Sequence, residues 1–354
     1  MSQNWMRHFE LQLVDPDGGA IDLGSFKVTF NIDWFNLSSE TRIGTFKIYN
    51  LSANTVNRIM GNEFNRVRII AGYDGIAADV PANQVGVART VNPDEVGQMD
   101  GRNYGLIFDG EIRYTITGKD NPVDSFVLIQ AADSDRAFAT SITAQTLAAG
   151  YTVSDVNAVL MKDFNANGAT EGNTPAMPAT VFPRGRVLFG MTRHLMDNVA
   201  DQCKADWMFV DGKREMVAKN EVVHEAIKLN SATGLVGMPQ QTIGSGVNVR
   251  CLINPNIRVN GLIELNQASV FRTALGNNDI AMTQGRITDQ NNNGNITIEG
   301  TTAQPASIAT DGVYIVRGIM YTGDTRGQAW YMDMMCEARG AADLVSSSAR
   351  ERGL

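Results

Sequence analysis

The chain has 354 residues, of which 43% are hydrophobic, and a formal net charge of −8. This length favours two or three domains, and the apolar fraction is large enough to build their cores, which excludes an intrinsically disordered protein. Acidic residues outnumber basic ones by 38 to 30. That balance argues against a protein whose task is to grip nucleic acid, because such a protein needs a basic face.

Neither the cysteines nor the apolar runs indicate an exported or membrane-bound protein. Cys203, Cys251 and Cys336 are odd in number and lack metal-ligand spacing, which predicts reduced, buried thiols. The N-terminal segment has no apolar stretch typical of a secretory signal, and no run approaches the roughly 18 apolar residues of a membrane span. We therefore expect a protein made in a reducing compartment, which, if it leaves the cell, does so by another route, for example inside a particle released by lysis.

The first 136 residues predict a small β-barrel or sandwich with one short helix. Alternating or β-branched and aromatic runs predict strands at 9–14, 26–30, 45–49, 67–73, 107–115 and 126–132. Ser52 is a good N-cap for a helix over 53–60, which Gly61 ends. The Gly-, Asn- and Pro-containing stretch 74–103 is an insertion loop, and a loop this long is usually functional or disordered.

Residues 137–244 predict an α+β module made of helices and a hairpin. Thr152 and Asp155 form a capping box for a helix over 152–162. The pair Asp211 and Gly212 between two apolar runs is a strong hairpin signal. A second helix is predicted over 186–204, because apolar residues recur there at every fourth position. These residues are Val187, Met191, Leu195, Val199 and Cys203.

Residues 245–340 return to strands, predicted at 247–253, 261–265, 313–320 and 330–336. A polar stretch at 272–310, rich in Asn, Gly and Thr, forms a second insertion. The last segment, 341–354, is typical of a frayed or partner-ordered tail.

A weak internal repeat links the two β regions. Ile112, Tyr114 and Thr115 recur as Ile319, Tyr321 and Thr322. In both copies a turn with Gly and Asp follows, and then an aromatic-led strand that ends in alanine. Two related β units in one chain favour a symmetric assembly over a catalyst.

Two segments match the first half of an EF-hand calcium loop. Their oxygen-bearing residues are Asp163, Asn165 and Asn167 in one segment and Asp289, Asn291 and Asn293 in the other. The loop also needs an acidic bidentate ligand at position twelve, where this chain has Thr174 or Gly300. The favoured interpretation is an Asn- and Gly-rich turn in each case, with a calcium site as the alternative.

No enzyme motif is visible, so no catalytic residue and no cofactor is assigned. Asp133 and Asp135 are a candidate carboxylate pair, although a polar junction after a strand is the favoured interpretation. The histidines, at positions 8, 194 and 224, are scattered, and His194 has Asp197 at helical spacing, which favours a surface hydrogen bond. A solvated or docking face is predicted for three arginines, namely Arg184, Arg186 and Arg193.

Several motifs taken in order resemble phage tail baseplate hub proteins. The front of the chain carries the segments 46–52, 67–73 and 107–112. The back carries 251–257, 261–265 and 321–327, followed by Trp330 and Tyr331. The helix-and-hairpin middle also fits. The resemblance covers most of the chain, excluding the two insertions and the tail.

The resemblance implies an α+β, mainly β fold. Two tube-protein-like antiparallel β-barrel domains, 1–136 and 245–340, are separated by the α+β module 137–244. It further implies a non-enzymatic homotrimer at the baseplate of a phage or phage-like injection machine, most often contractile. Six barrels from three subunits form a pseudo-sixfold ring, since doubling a barrel converts threefold into near-sixfold symmetry.

The partners implied by the resemblance are the hexameric tail tube protein, the trimeric central spike protein and other baseplate proteins. The protein would assemble in the host cytoplasm and reside in the virion. Phage DNA would pass through the ring without specific binding, helped by acidic residues that face the channel. Which residues form the interfaces is left open by the sequence.

Two other classes of function stay open. A tail-tip binding or adhesin module would use the Asn-rich insertions as contact loops, and would be a monomer that binds cells or glycans. An enzyme such as a cell-wall hydrolase is the third class, but no spare segment is long enough for its domain.

Overall fold

The computed structural model describes residues 6–36, 41–74, 103–219, 224–231, 233–241, 246–266, 270, 287–290, 296–299 and 312–338. Apart from its end residues, the predicted insertion 74–103 lies outside the described residues. Of the insertion 272–310, only two short strands are described. The predicted tail 341–354 lies wholly outside them.

The fold is α+β and mainly β, as the sequence predicts. Within the described residues the helices are α1 (Ala53–Met60), α2 (Asp135–Thr140), α3 (Val153–Ala166) and α4 (Thr192–Gln202). The strands up to the middle of the chain are β1 (Arg7–Val14), β2 (Ala20–Asp22), β3 (Val28–Phe35), β4 (Ile43–Tyr49), β5 (Arg66–Tyr73), β6 (Asn103–Lys119), β7 (Ser125–Ala132), β8 (Ile142–Leu147), β9 (Thr170–Glu171) and β10 (Arg186–Met191). The later strands are β11 (Ala205–Val210), β12 (Lys213–Ala218), β13 (His224–Leu229), β14 (Leu235–Gln241), β15 (Gly246–Leu252), β16 (Gly261–Leu265), β17 (Ile287–Gln290), β18 (Ile296–Glu299), β19 (Val313–Asp324) and β20 (Trp330–Ala338).

One 13-stranded sheet contains both β regions of the chain. Its main path runs β14-β15-β20-β19-β3-β4-β7-β6-β5-β1-β2, and β16 joins β19 to β13. Two antiparallel four-stranded groups follow each other on this path. We call β3-β4-β7-β6 the first unit and β14-β15-β20-β19 the second unit. The two units meet where β19 pairs with β3.

The two units are built on the same hydrogen-bond register. In the first unit, β6 has a bulge at Arg113, between Ile112 and Tyr114. In the second unit, β19 has a bulge at Arg317, between Val316 and Gly318. Aligning these bulges makes Ile112 equivalent to Val316. The sequence repeat therefore identifies the correct pair of hairpins, but its alignment of Ile112 with Ile319 is displaced by three residues along the strand.

The row of residues next to each bulge can be followed across all four strands. In the first unit the opposed residues are Ile112, Ala131, Gly44 and Ile32. In the second unit they are Val316, Cys336, Val247 and Gln241. Each strand of one unit thus has a counterpart in the other, with β3 equivalent to β14 and β6 equivalent to β19.

The two units share one hydrophobic core. Alternate residues of β3 point inward, and Phe30 and Ile32 are almost fully buried. Phe30 of the first unit packs edge-on against Trp330 of the second unit, with ring centroids 5.6 Å apart, and stacks on Phe9 at 5.5 Å. The apolar cluster includes residues of both units, so folding one unit supports the other.

The middle of the chain has a core of its own. Helices α3 and α4 pack on the β11–β12 hairpin, around Phe164, Trp207 and Phe209. The indole N–H of Trp207 donates a 2.8 Å hydrogen bond to the carboxylate of Asp197 on α4. Asp197 therefore binds the indole N–H of a core residue, whereas the sequence predicted a surface hydrogen bond between Asp197 and His194.

The predicted helix over 186–204 is wrong in its first third. Residues Arg186–Met191 form β10, which pairs with β8, and the helix begins at Thr192. Gly190 has a φ of 137°, which a helix does not accept. The predicted apolar stripe is right only within the helix, where Val199 is buried and Leu195 and Cys203 pack on the core, whereas Val187 is 68% exposed.

Local signals elsewhere give the correct elements. Helix α1 has the predicted bounds, and the Ser52 side chain accepts a hydrogen bond from the Thr55 N–H. The capping box of Thr152 and Asp155 is present at the start of α3. The hairpin turn also matches, since Asp211 and Gly212 both have positive φ.

Candidate functional site at the junction of the two units

The pairing of β19 with β3 joins the two units edge to edge. Residues 318–324 oppose residues 29–35 in an antiparallel ladder that begins at Gly318 and Phe35. Tyr321 opposes Ile32 on the core side, and both side chains are buried. Thr322 opposes Asn31 on the other face. We call this ladder the junction.

The turn after β19 anchors the start of β3. The Thr325 hydroxyl accepts a 3.0 Å hydrogen bond from the Val28 N–H and donates one of 3.1 Å to the Phe26 carbonyl. The Arg326 guanidinium donates to the Ser25 carbonyl at 2.8 Å. These bonds join segments about 300 residues apart in sequence. The junction is therefore fixed by side chains as well as by the ladder.

A buried cluster of charges lies where the hairpin turn of the middle region reaches the first unit. Arg42 has a side chain that is 1% exposed, and it donates to the Asp133 carboxylate at 3.0 Å and also to Asp211. Arg258 reaches Asp211 from the other side at 3.5 Å. We call Arg42, Asp133, Asp211 and Arg258 the charge cluster.

Backbone groups complete this cluster. The N–H groups of Asp211 and Gly212 donate to the two oxygens of Asp133, at 2.6 and 3.0 Å. The guanidinium of Arg42 also donates to the Ile107 carbonyl and stacks over the Trp34 ring, 4.9 Å from its centroid. The hairpin turn is thus held against both β3 and β6 of the first unit.

Arg42 and Asp211 stabilise each other's charged form, whereas burial outweighs the attraction of Arg42 at Asp133 and raises the pKa of that carboxyl. Burial disfavours the charged form of Asp211, but the neighbouring Arg42 holds its pKa below the ordinary value. Burial also disfavours the charge on Arg42, but Asp211 and Asp133 raise its pKa. Two cations and two carboxylates balance, which is the condition for keeping charges in a protein interior.

Two solved structures have a similar fold over nearly the whole chain. The 43 kDa tail protein of prophage MuSo2 from Shewanella oneidensis aligns with a TM-score of 0.52 and 7% identity, and the alignment covers 94% of this chain and 98% of that one. The tail protein from Neisseria meningitidis MC58 aligns with a TM-score of 0.50 and 9% identity, covering 95% and 98%. This chain has a tail-protein fold.

No protein-family model and no curated protein sequence matches the chain. At such low identities the likeness to the two tail proteins concerns the fold. The described helices include none with the length and apolar character needed to cross a membrane.

The candidate carboxylate pair is divided between two different partners. Asp133 lies in the charge cluster, fully buried. Asp135 instead accepts from Arg113, the bulge residue of β6, at 2.6 and 2.8 Å. The two carboxylates therefore do not meet at one site.

The structure places half of the calcium-loop candidates in or next to a helix. Asp163 and Asn165 lie in α3, and Asn167 is its C-cap residue. The Asp163 carboxylate accepts a 2.6 Å hydrogen bond from the Thr143 hydroxyl. Asp289 lies in β17, whereas Asn291 and Asn293 fall outside the described residues. Among the described residues, no three acidic, histidine or cysteine side chains gather as a metal site would require.

The remaining candidates occupy separate places. His8 lies between Glu10 and Asp74, whereas His194 is exposed on α4. Cys251 and Cys336 are free and buried, and Cys203 is free and half-buried. Arg193 donates to the Phe138 carbonyl at 2.9 Å, Arg186 lies in β10, and Arg184 is exposed.

Sequence reasoning missed Arg42, Asp211 as a charge partner, Arg258 and strand β14. Arg42 and Asp211 are 169 residues apart, and Asp133 and Asp211 are 78 apart. No periodic pattern connects such distant positions. The only usable signal was the Asp-Gly turn, which places Asp211 at an exposed hairpin tip but does not name its partner.

Proposed function

We propose that this protein is a structural hub of a phage or phage-like tail. Three copies form a pseudo-sixfold ring that joins the hexameric tail tube to the trimeric central spike, in contact with other baseplate proteins. The ring leaves a channel for DNA and carries out no catalysis. It is assembled in the host cytoplasm and belongs to the virion. The two barrel domains of this proposal are 1–136 and 245–340, with 137–244 between them, and β13 and β14 at the end of that middle stretch join the sheet of the second domain.

The observation that carries the proposal is the junction itself. The second unit joins the first through β19 and β3, which are not equivalent strands of the two units. Such a contact is head-to-tail, and a head-to-tail contact repeated by a rotation generates a ring when the rotation closes. One chain already contains one such step. Three chains supply six units, which is what a sixfold tube needs from a threefold partner.

The sheet face turned away from the core supports a DNA channel. Its charged residues are largely paired, with Arg250 to Asp333 and Lys47 to Asp120, both at 2.6 Å. Asp33 adds an acidic side chain on the same face. A wall of this kind gives the phosphate backbone no basic grip, so DNA slides past it. Among these five residues, three are acidic and two are basic.

The test is the mass of the protein in solution by light scattering, with averaged electron micrographs of the same sample. It is made on the protein alone and after mixing with the tube and spike proteins of the same tail. We expect three chains and a six-lobed ring with a central channel. A stable dimer without a channel, or a monomer that ignores both partners and binds cells or glycans, would overturn the proposal in favour of a binding module.

A further inference from the structure

Two strand edges lack a partner where their counterparts have one. Within the described residues, 113–119 of β6 pair only with β7, and β14 pairs only with β15. The counterparts of these strands are β19 and β3, which pair with each other in the junction. The part of the sheet formed by the two units therefore ends in one strand equivalent to β19 and another equivalent to β3.

We propose that β6 of one copy pairs antiparallel with β14 of the next copy, in the register of the junction. This inference rests on the proposed ring and specifies the surfaces that close it. Each copy contributes one half of every contact between copies. The occupant of each free edge is thus a second copy of this chain.

The register between copies follows from the rows of opposed residues that lie next to the bulges in the two units. Because Arg113 and Arg317 mark the same bulge, Thr117 is equivalent to Tyr321. The same rows make Gln241 equivalent to Ile32. Tyr321 opposes Ile32 in the junction. The contact between copies therefore places Thr117 opposite Gln241.

The chemistry of these positions fits a boundary that is exposed before assembly. The pair within the chain is apolar and buried, with Tyr321 2% and Ile32 0% exposed. Its counterpart between copies is polar, Thr117 with Gln241. Apolar residues at these two positions would add to the aggregation hazard of a free edge, and Thr and Gln avoid that addition.

A further device limits pairing of the free subunit. The register of β14 against β15 shifts between Val236 and Gln240, and Pro239 lies within that bulge. Proline lacks a backbone N–H, so this part of the edge cannot complete a ladder. The proposed contact at Gln241 lies on the other side of this bulge from Leu235 and Val236.

The test is a disulfide between copies. Thr117→Cys and Gln241→Cys are combined in a Cys203→Ser background, which leaves only the two buried native cysteines. The two positions lie seven strand spacings apart within one chain, or about 34 Å, which no disulfide spans. We expect oxidation of the assembled protein to give covalent species of up to three chains on a non-reducing gel, and each single variant to stay unlinked.

The junction supplies a matched positive control. Asn31 and Thr322 oppose each other within one chain, so Asn31→Cys with Thr322→Cys is expected to form an internal disulfide without any increase in mass. A second pair of variants guards against misfolding: Thr117→Lys is expected to weaken assembly, and adding Gln241→Glu to restore it.

The two proposals fail in different ways. A three-chain ring in which the cysteine pair stays unlinked, while the positive control oxidises, would overturn this contact and leave the hub proposal standing. A protein that forms no ring with or without its tail partners would overturn both. Linked dimers that add no third chain would also contradict the head-to-tail contact, because each copy presents both edges.

Discussion

The carboxylate of Asp133 accepts a 2.6 Å hydrogen bond from the backbone N–H of Asp211, and both carboxylates bind the same guanidinium, that of Arg42. One acid follows β7 and the other opens the turn after β11. The middle region is thereby attached to the first unit by a charge network in which Arg42 and Asp133 are each only 1% exposed. Its orientation relative to the sheet is fixed by directional bonds as well as by apolar packing.

Replacing Asp133 by asparagine is expected to destabilise the protein by about 3–5 kcal/mol, the usual cost of removing one partner from a buried charge network. The substitution leaves Arg42 with too little negative charge. It also places an amide NH2 among the N–H donors of Asp211 and Gly212. Urea unfolding at neutral pH measures the difference.

Asp135→Asn is the matched control, only two residues away. Its partner Arg113 is 30% exposed, so this pair is worth about 1 kcal/mol or less. Equal losses for both variants would show that the buried cluster has no special role. A large loss for Asp133→Asn alone supports the network.

The sequence predicts well those elements whose cause is local. Helix α1 follows from the Ser52 cap, and the β11–β12 hairpin follows from Asp211 and Gly212, because each signal acts within a few residues. The charge cluster could not be predicted, since its members come together only after the sheet has formed. Its residues carry no spacing that distinguishes them from surface charges.

The prediction of a helix at the residues of β10 was wrong for a reason that is visible in the sequence. Spacing by four cannot separate a helix from a strand followed by a helix when the segment is short. Gly190 within the predicted helix was the contrary signal, because glycine is costly in a helix interior. The exposed Val187, at 68%, also departs from the expected burial of the apolar stripe.

His8 is expected to make stability depend on pH. Burial lowers the pKa of the ring, but hydrogen bonds of 2.9 Å to Asp74 and 3.0 Å to Glu10 outweigh it and raise the pKa from 6.5 to about 9. Because the folded value lies above the unfolded one, the stabilisation is complete below pH 6.5 and is lost as the pH rises through 9.

We expect His8→Gln to cost about 1–2 kcal/mol at pH 6, allowing for solvent screening, and much less at pH 10. Urea unfolding at pH 6, 8 and 10 checks this. The exposed His194 provides the control His194→Gln, which should leave the pH profile unchanged. A constant difference between wild type and His8→Gln at all three values would refute the assignment.

Gly323 is expected to be intolerant of any side chain. It opposes Phe30 in the junction, and a Cβ at this position would overlap the Phe30 ring. That ring is held between Phe9 and Trp330, so it has little room to move. Gly323→Ala should cost about 1–3 kcal/mol through overpacking.

The neighbouring variant Thr322→Ala tests whether the effect belongs to the core. Thr322 faces away from the core and is half-buried, so a change of about 0.5 kcal/mol or less is expected. Differential scanning calorimetry of both variants provides the comparison. A smaller loss for Gly323→Ala than for Thr322→Ala would contradict the packing argument.

Substitutions of Arg214 distinguish the effect of its buried charge on stability from the effect of the volume that its side chain fills. Its side chain is fully buried and donates to Glu171 at 2.7 Å and to Asn157 at 3.2 Å, while its Nη1 has no partner among the described residues. Glu171 is 48% exposed, so water can hydrogen-bond its carboxylate in place of Arg214.

Arg214→Met should therefore change the unfolding free energy by about 1 kcal/mol or less, because methionine fills the volume and removes the unpaired donor. Arg214→Ala should cost about 2–4 kcal/mol by leaving a cavity, and Lys213→Met, at an exposed position, should be neutral. Urea unfolding of the three variants decides the matter, since an equal loss for Met and Ala would show that the ion pair with Glu171, rather than packing, holds β12 to β9.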